Sequence, residues 1–367
     1  MRSHALVILF LVLRVITVPA QDTLLLFHPT VENLEVIRNL SEKGLLDLEG
    51  IHILGICHSG ENYDYHKSLA YLDSIADDSY SLREISAGLQ QDGLFKKNAC
   101  SALFKALFEG SIGAIFMGGS DIPPGIYHEP THLLTRVTDP CRHYLEVSFL
   151  FHLLGGSQDR DWIPYLRSDS SYLVRGICLG MQSMSVATGG TLIQDIPAEV
   201  YGICTAEEVL SLPDDMRHRN YSDLLHPECT EPTSYHFHRI MIREGSFLAG
   251  SNRAGGNTGP HVLSSHHQAV EDPGDAWLVS ATSMDGKIIE AMEHRYFHHV
   301  AGVQFHPEKA GLFDPGILLP QSCDSMINFM EVIRGTASYD FHLSYWKDLG
   351  SALQKLRKGT VKITRSQ

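Results

Sequence analysis

A cysteine flanked by glycines, Gly176-x-Cys178-x-Gly180, follows an apolar run and leads through Leu179-Gly180-Met181-Gln182 into a stretch with helical spacing, Ser183 to Thr188. Glycines on both sides of a strand-to-helix turn permit a tight elbow and close approach of neighbouring backbone, so the side chain between them stands exposed. The helix N-terminus beneath it favours the thiolate, the reactive form of cysteine. Gly-Ile-Cys also occurs at 55–57 and 202–204, but only the middle copy joins a strand directly to a helix. A thiol nucleophile needs a base, and the base needs an orienting group. Gly302-Val-Gln-Phe-His306-Pro307-Glu308-Lys309 offers both, because an extended segment puts His306 and Glu308 on one side and Pro307 stiffens the pair. An oxyanion hole is the third requirement. The run Ile112 to Met117 ends in Gly118-Gly119, and a glycine pair at a strand end can turn an N–H toward a neighbouring elbow. The expected donors are the N–H groups of Gly119 and Leu179, with Gly118 as the fallback.

These residues need a scaffold, and the hydrophobic pattern supplies one. Apolar runs at Thr23 to Phe27, Ile51 to Ile56, Ile112 to Met117 and Ser171 to Ile177 alternate with helical patterns at Val31 to Lys43, Asn98 to Glu109 and Pro140 to Leu154. That alternation predicts buried parallel strands covered on both faces. From Gly189 onward the segments are shorter and extended: Thr191 to Ile193, Tyr235 to Ile242, Trp277 to Ser280, Ile288 to Glu293 and Val300 to Phe305. The fold class expected is α/β, with a central, mostly parallel sheet flanked by helices and a smaller antiparallel β portion in the second half. Residues 21 to 335 make one domain on this reading. Residues 336–367 form a C-terminal extension, with a helix around Asp348 to Arg357 and a solvated basic tail.

Composition limits the function classes. The 367 residues carry 29 Lys+Arg against 43 Asp+Glu, a net charge of −14, and show no basic stripe interleaved with aromatics, so nucleic-acid binding is disfavoured. Residues 1–20 read as a signal peptide: Arg2 and His4, an apolar run Ala5 to Leu13, then Val18-Pro19-Ala20 before Gln21. The apolar run is too short for a stable membrane anchor. The expected location is secreted or periplasmic, or lysosomal or extracellular in a eukaryote. Seven cysteines leave at least one thiol unpaired in an oxidising compartment, and the other six admit up to three disulfides or buried free thiols. His236-x-His238 and His298-His299 put imidazoles close together, but without a spaced third ligand no metal is expected. Asn39-Leu-Ser41 and Asn220-Tyr-Ser222 are glycosylation triplets of the kind that also arise by chance.

Four blocks, in order, resemble a known family: Gly118-Gly119-Ser120-Asp121-Ile122-x-Pro124-x-x-Tyr127, Gly176-Ile-Cys-Leu-Gly-Met-Gln182, Ser264-x-His266-His267-Gln268 and Gly302-Val-Gln-x-His-Pro-Glu308. Asp139-Pro-x-Arg142 with Glu146, Gly189-Gly190-Thr191-Leu-x-Gln-Asp195, and Asp285-Gly286 with Glu290-Ala291 extend the likeness from about Ile112 to Lys309. The chain resembles the flavodoxin-like class I glutamine amidotransferase fold. Within it, the chain is most similar to the cysteine peptidase family of γ-glutamyl hydrolases, especially the γ-glutamyl-γ-aminobutyrate hydrolase branch. It departs from that branch at Leu179, where Arg is commoner, and at Leu263, where Asn is usual. The resemblance implies Cys178 as nucleophile, His306 as base, Glu308 as its partner, and Gln182, His266, His267 and Tyr127 around the γ-glutamyl group. It implies a small-molecule γ-glutamyl substrate, a thioester intermediate and no cofactor, and leaves oligomeric state open, a homodimer included. The competing expectations are an ammonia-donating glutaminase subunit and a non-catalytic member of the same fold.

Overall fold

The computed structural model describes residues 22–225, 232–251 and 259–364; the expected signal peptide and Cys229 lie outside the described residues. The first strands are β1 (Thr23–Phe27), β2 (His52–His58), β3 (Tyr80–Ile85), β4 (Gly113–Phe116) and β5 (Leu173–Ile177). Between and after them lie helices α1 (Val31–Glu42), α2 (His66–Ile75), α3 (Ser101–Glu109), α4 (Pro140–Leu154) and α5 (Leu179–Ala187). The second half supplies β6 (Leu192–Ile193), β7 (His236–Ile242), β8 (His261–Ser264), β9 (Ala269–Val270), β10 (Trp277–Ser283), β11 (Ile289–His294) and β12 (Val300–Val303). Short helices α6 (Ile196–Tyr201), α7 (Ala206–Leu210) and α8 (Ser222–Leu225) cross before β7. A hairpin of β13 (Leu319–Ser322) and β14 (Ser325–Ile327) precedes α9 (Phe329–Ile333) and α10 (Ala337–Thr364).

Ten strands form the main sheet in the order β3-β2-β1-β4-β5-β12-β11-β10-β7-β8. The run from β3 to β12 is parallel, and β11, β10, β7 and β8 continue it antiparallel. The expected mostly parallel sheet with an antiparallel second portion is therefore present. Strand β1 shows why both faces must be covered: Leu24 and Leu26 enter one core with Leu34 and Ile37 of α1, while Leu25 and Phe27 enter the other with Phe104 of α3 and Phe149 of α4. Successive strand residues point to opposite faces, so an uninterrupted apolar strand is stable only between two layers.

Local chemistry sets the helix starts. Thr30 accepts a hydrogen bond from the Asn33 N–H at the head of α1, and Asp139 accepts one from Arg142 N–H at the head of α4, where Pro140 fits the first turn. The helix after the cysteine elbow begins at once, at Leu179, rather than at Ser183. The C-terminal helix also begins earlier than expected, at Ala337. Far from being wholly solvated, α10 buries Phe341, Tyr345, Trp346, Leu349 and Leu353 against the same core as α1. Their spacing of four, one, three and four residues is one stripe of a helix. Asn220, in a glycosylation triplet, is buried and donates its amide to the carbonyls of Thr233 and Gln321. It is a structural side chain and not an accessible acceptor.

Candidate active site

Register brings three distant segments to one edge. Gly176 of β5 lies opposite Phe116 of β4 on one side and Gly302 of β12 on the other. The Gly118-Gly119 turn, Cys178 and the His306-Pro307-Glu308 turn thus emerge together beyond the carboxyl ends of parallel strands, where open α/β sheets form their crevices.

Cys178 occupies φ +53°, ψ −108°, a backbone conformation disfavoured for any side chain. Hydrogen bonds on both sides hold it there: its N–H donates to Val303 O at 2.8 Å, and the N–H groups of Met181 and Gln182 donate to its carbonyl. The neighbouring glycines are required by close approach. A Cβ on Gly180 would stand 2.2 Å from the Phe116 carbonyl oxygen, and one on Gly176 would stand 2.6 Å from the backbone of Gly180 and Met181. Helix α5 therefore presses directly on the sheet, with Cys178 at its head.

His306 Nδ1 is 2.7 Å from Glu308 Oε1, and both groups are buried. Cys178 lines the same cleft as His306 and is among the groups that favour its charged form. Burial opposes the charge on His306, yet the Glu308 carboxylate, helped by Tyr235 and Cys178, holds its pKa well above the usual histidine value. Glu308 is likewise opposed by burial but held below the usual carboxylate range by His306. The pair is thus an imidazolium beside a carboxylate. The Tyr235 ring stands perpendicular to His306 with centroids 5.3 Å apart. From behind, Trp346 of α10 donates its indole N–H to the Pro307 carbonyl at 2.8 Å, bracing the turn between base and carboxylate.

Gly118 and Gly119 border a cleft of about 260 Å³ shared with Cys178, His306, Tyr235 and Lys309. A Cβ on Gly118 would meet His306 Cε1 at 2.9 Å, and one on Gly119 would meet Arg142 Nη1 at 2.1 Å and Leu179 Cδ2 at 2.9 Å. The turn is held by Arg142, whose Nη2 donates to the carbonyls of Met117 and Gly118 while Nε donates to Glu146. Leu179 heads α5, where the first N–H groups have no partner inside the helix. A larger cavity of about 880 Å³ lies elsewhere, between Leu154, Arg167, Asp272 and Tyr296, and contains no nucleophile–base pair.

The residues expected around a substrate are placed less uniformly. Gln182 donates to Gln268 O and to Gln304 Oε1, and Gln304 in turn donates to Cys178 Sγ at 3.5 Å, so Gln182 reaches the nucleophile only through Gln304. His267 is a bridge: Nδ1 meets Asp195 and Nε2 meets Asp121, both at 3.1 Å, which leaves neither nitrogen for a ligand. His266 is turned away from the cleft into a buried group with His218, His238 and Glu290. Tyr127 packs its ring in the core, and its buried hydroxyl has no partner among the described residues. His266, His267 and Tyr127 thus support the surroundings and do not line the cleft. Sequence reasoning gave no role to Gln304, although it lies inside the Gly302 to Glu308 block, and missed Tyr235, which carries no local signal.

Among the described residues five cysteines, including Cys178, are free thiols, and Cys323 is disulfide-bonded. Burial pushes the Cys57 thiol up to about 12.

Known proteins are similar to this chain in sequence. A protein of Mycobacterium tuberculosis named as a glutamine amidotransferase is 30% identical over 196 residues, covering 53% of this chain and 50% of the relative. The chain thus spans about half the length of that relative. One of Rickettsia prowazekii named as glutamine amidotransferase-like is 30% identical over 213 residues, covering 53% of this chain and 70% of the relative. A solved glutamine amidotransferase of Methylobacillus flagellatus superposes with a TM-score of 0.39 at 12% identity, covering 83% of this chain and 94% of that one. Residues 101–308 match the model of the Peptidase C26 family, a span that opens with α3 and closes on Glu308. The chain belongs to that family.

Proposed function

We propose that this protein is an exported cysteine-dependent hydrolase of the γ-glutamyl amide bond in γ-glutamyl peptides or amines. Cys178 attacks the γ-carbonyl, the Gly119 and Leu179 N–H groups receive the oxyanion, and His306 delivers its proton to the leaving amine. Water then attacks the thioester with His306 as base, releasing glutamate and the free thiol. The observation that carries the reading is the joining of Cys178, the His306–Glu308 pair and the Gly118-Gly119 turn around one small polar cleft. Lys309 and Glu32 at the same cleft, 2.7 Å apart, give its mouth both signs of charge, which suits a head group bearing an ammonium and a carboxylate. Export is supported by the residue pattern of 1–20 and by the disulfide at Cys323, since disulfides persist in oxidising compartments.

The test is release of free amine from a panel of γ-glutamyl amides, glutamine included. Hydrolysis of several γ-glutamyl amines, lost in Cys178→Ala, is the expected result. Turnover of glutamine alone would favour the ammonia-donating reading, and no turnover of any member would defeat both. N-terminal mass analysis of the protein secreted by its host should begin at Gln21; an intact Met1 would count against export.

A further inference from the structure

Behind the catalytic edge, four side chains from four separate segments converge. His218 comes from the loop before α8, His238 from β7, His266 from the turn between β8 and β9, and Glu290 from β11. All four are buried, at 2%, 0%, 4% and 0% exposure. One ligand atom from each falls within 4.8 Å of all the others. Glu290 Oε1 is 3.0 Å from His218 Nδ1, 3.6 Å from His238 Nε2 and 3.8 Å from His266 Nε2.

These groups do not satisfy one another. Both nitrogens of His218, Nε2 of His266 and both oxygens of Glu290 lack a hydrogen-bond partner among the described residues, and even the 3.0 Å approach of His218 lacks hydrogen-bond geometry. A buried polar group left unpaired costs roughly 1–3 kcal/mol, and more when charged, so several unpaired groups aimed at one point require an occupant. The far sides of the rings are arranged as in metal sites. His266 Nδ1 lies 2.9 Å from the Gln268 carbonyl and His238 Nδ1 lies 3.2 Å from the Arg239 carbonyl. A carbonyl can only accept, so each Nδ1 carries the proton and each Nε2 presents its lone pair to the centre. Ser264 Oγ lies 2.8 Å from His238 Nε2 and, being a rotor, can turn away.

We infer that His218, His238, His266 and Glu290 form a structural site for one divalent transition cation of the zinc class. Three imidazoles and a carboxylate are a borderline donor set, suited to Zn²⁺ and unlike the all-oxygen sets of Mg²⁺ or Ca²⁺. Ligand atoms around tetrahedral zinc lie about 3.3 Å apart, given bonds of about 2.0–2.1 Å. The approaches to Glu290 already bracket that spacing. The ion would tie β7, β11 and the two loops together. It would also fix Gln304, whose N–H donates to Glu290 O, and Gln268, whose carbonyl accepts from both His266 and Gln182. This site does not depend on the substrate proposed above.

The experiment uses the full chain carrying Cys178→Ala, so that metal on the catalytic thiol is not counted. Protein exposed to Zn²⁺ and desalted should retain about one zinc per chain by mass spectrometry, and Co²⁺ should give the intense visible band of a tetrahedral site. Adding Glu290→Gln or His218→Ala should lower retention at least tenfold. Adding His236→Ala should leave it intact, because His236 Nε2 faces the Asp214 carbonyl outside the group. If the added substitutions impair folding, thermal melting of the Cys178→Ala protein decides: its midpoint should rise saturably with Zn²⁺ and fall on chelation. Retention below a tenth of an equivalent with a melting point indifferent to Zn²⁺, or full retention in folded Glu290→Gln, would overturn the site.

Discussion

Glu308 Oε1 sits 2.7 Å from His306 Nδ1 and 3.9 Å from Lys309 Nζ, so one buried carboxylate serves two cations. The imidazolium is the form that can protonate a leaving amine, and Glu308 is the chief group that keeps it protonated against burial. Activity is therefore present below the raised His306 pKa and lost as pH rises through it. Glu308→Gln should move the alkaline limb of the kcat/KM profile to lower pH and cost less at neutral pH than His306→Ala. An unmoved limb, or equal losses, would show that Glu308 does more or less than orient and charge the ring.

Cys178 holds a positive φ that glycine adopts freely and alanine does not. Both Cys178→Ala and Cys178→Gly should abolish turnover, but the glycine variant should be the more stable by about 1 kcal/mol, as strain is relieved. Urea denaturation compares them. A more stable alanine variant would mean that the elbow is not strained.

Gly118→Ala would place a methyl 2.9 Å from His306 Cε1 and 3.6 Å from Cys178 Cβ. Displacing the base from the nucleophile should lower kcat by about 10²-fold or more while the melting temperature stays near wild type. Activity within twofold of wild type would remove Gly118 from the machinery.

Arg142 and Glu146 are both buried, and the guanidinium also holds the Met117 and Gly118 carbonyls. Arg142→Ala leaves a buried carboxyl and two carbonyls without their partner and should cost about 3–5 kcal/mol. The double variant Arg142→Met, Glu146→Leu should lose less stability than Arg142→Ala, though it frees the glycine turn and lowers activity. Denaturant midpoints of the two test this; a double variant as destabilised as Arg142→Ala, or more so, would contradict it.

Between Asp121 and Asp195, and in spite of burial, His267 is pushed up to about 9. Its ordinary value is about 6.5, so the stabilisation is full below about pH 6.5 and disappears as pH rises through about 9, a loss of up to about 3 kcal/mol. The melting temperature of wild type should fall across that window, and His267→Gln should flatten the fall. A parallel decline in both would assign the pH dependence to other groups.

Much of the site was legible in the sequence because its parts are local. The Gly-x-Cys-x-Gly elbow and the His-Pro-Glu turn each need only a few consecutive residues at the end of an apolar run, and alternating apolar strands and amphipathic helices announce a parallel sheet. Other features depended on segments far apart in the chain. Whether Gly302 of β12 would lie beside Gly176 of β5 is a matter of register between strands separated by most of the second half. That register decides that the base meets the thiol. It also decides that Gln304 reaches the sulfur and that Trp346 braces Pro307. His266 and His267 are neighbours in sequence, yet one faces three ligand-type side chains and the other bridges two aspartates. Both lie in the turn between β8 and β9, and only the packed elements on each side determine what each side chain meets. The same reason hid the third and fourth members of the histidine cluster: His218 and Glu290 approach His238 through tertiary folding alone, and no spacing along the chain records it.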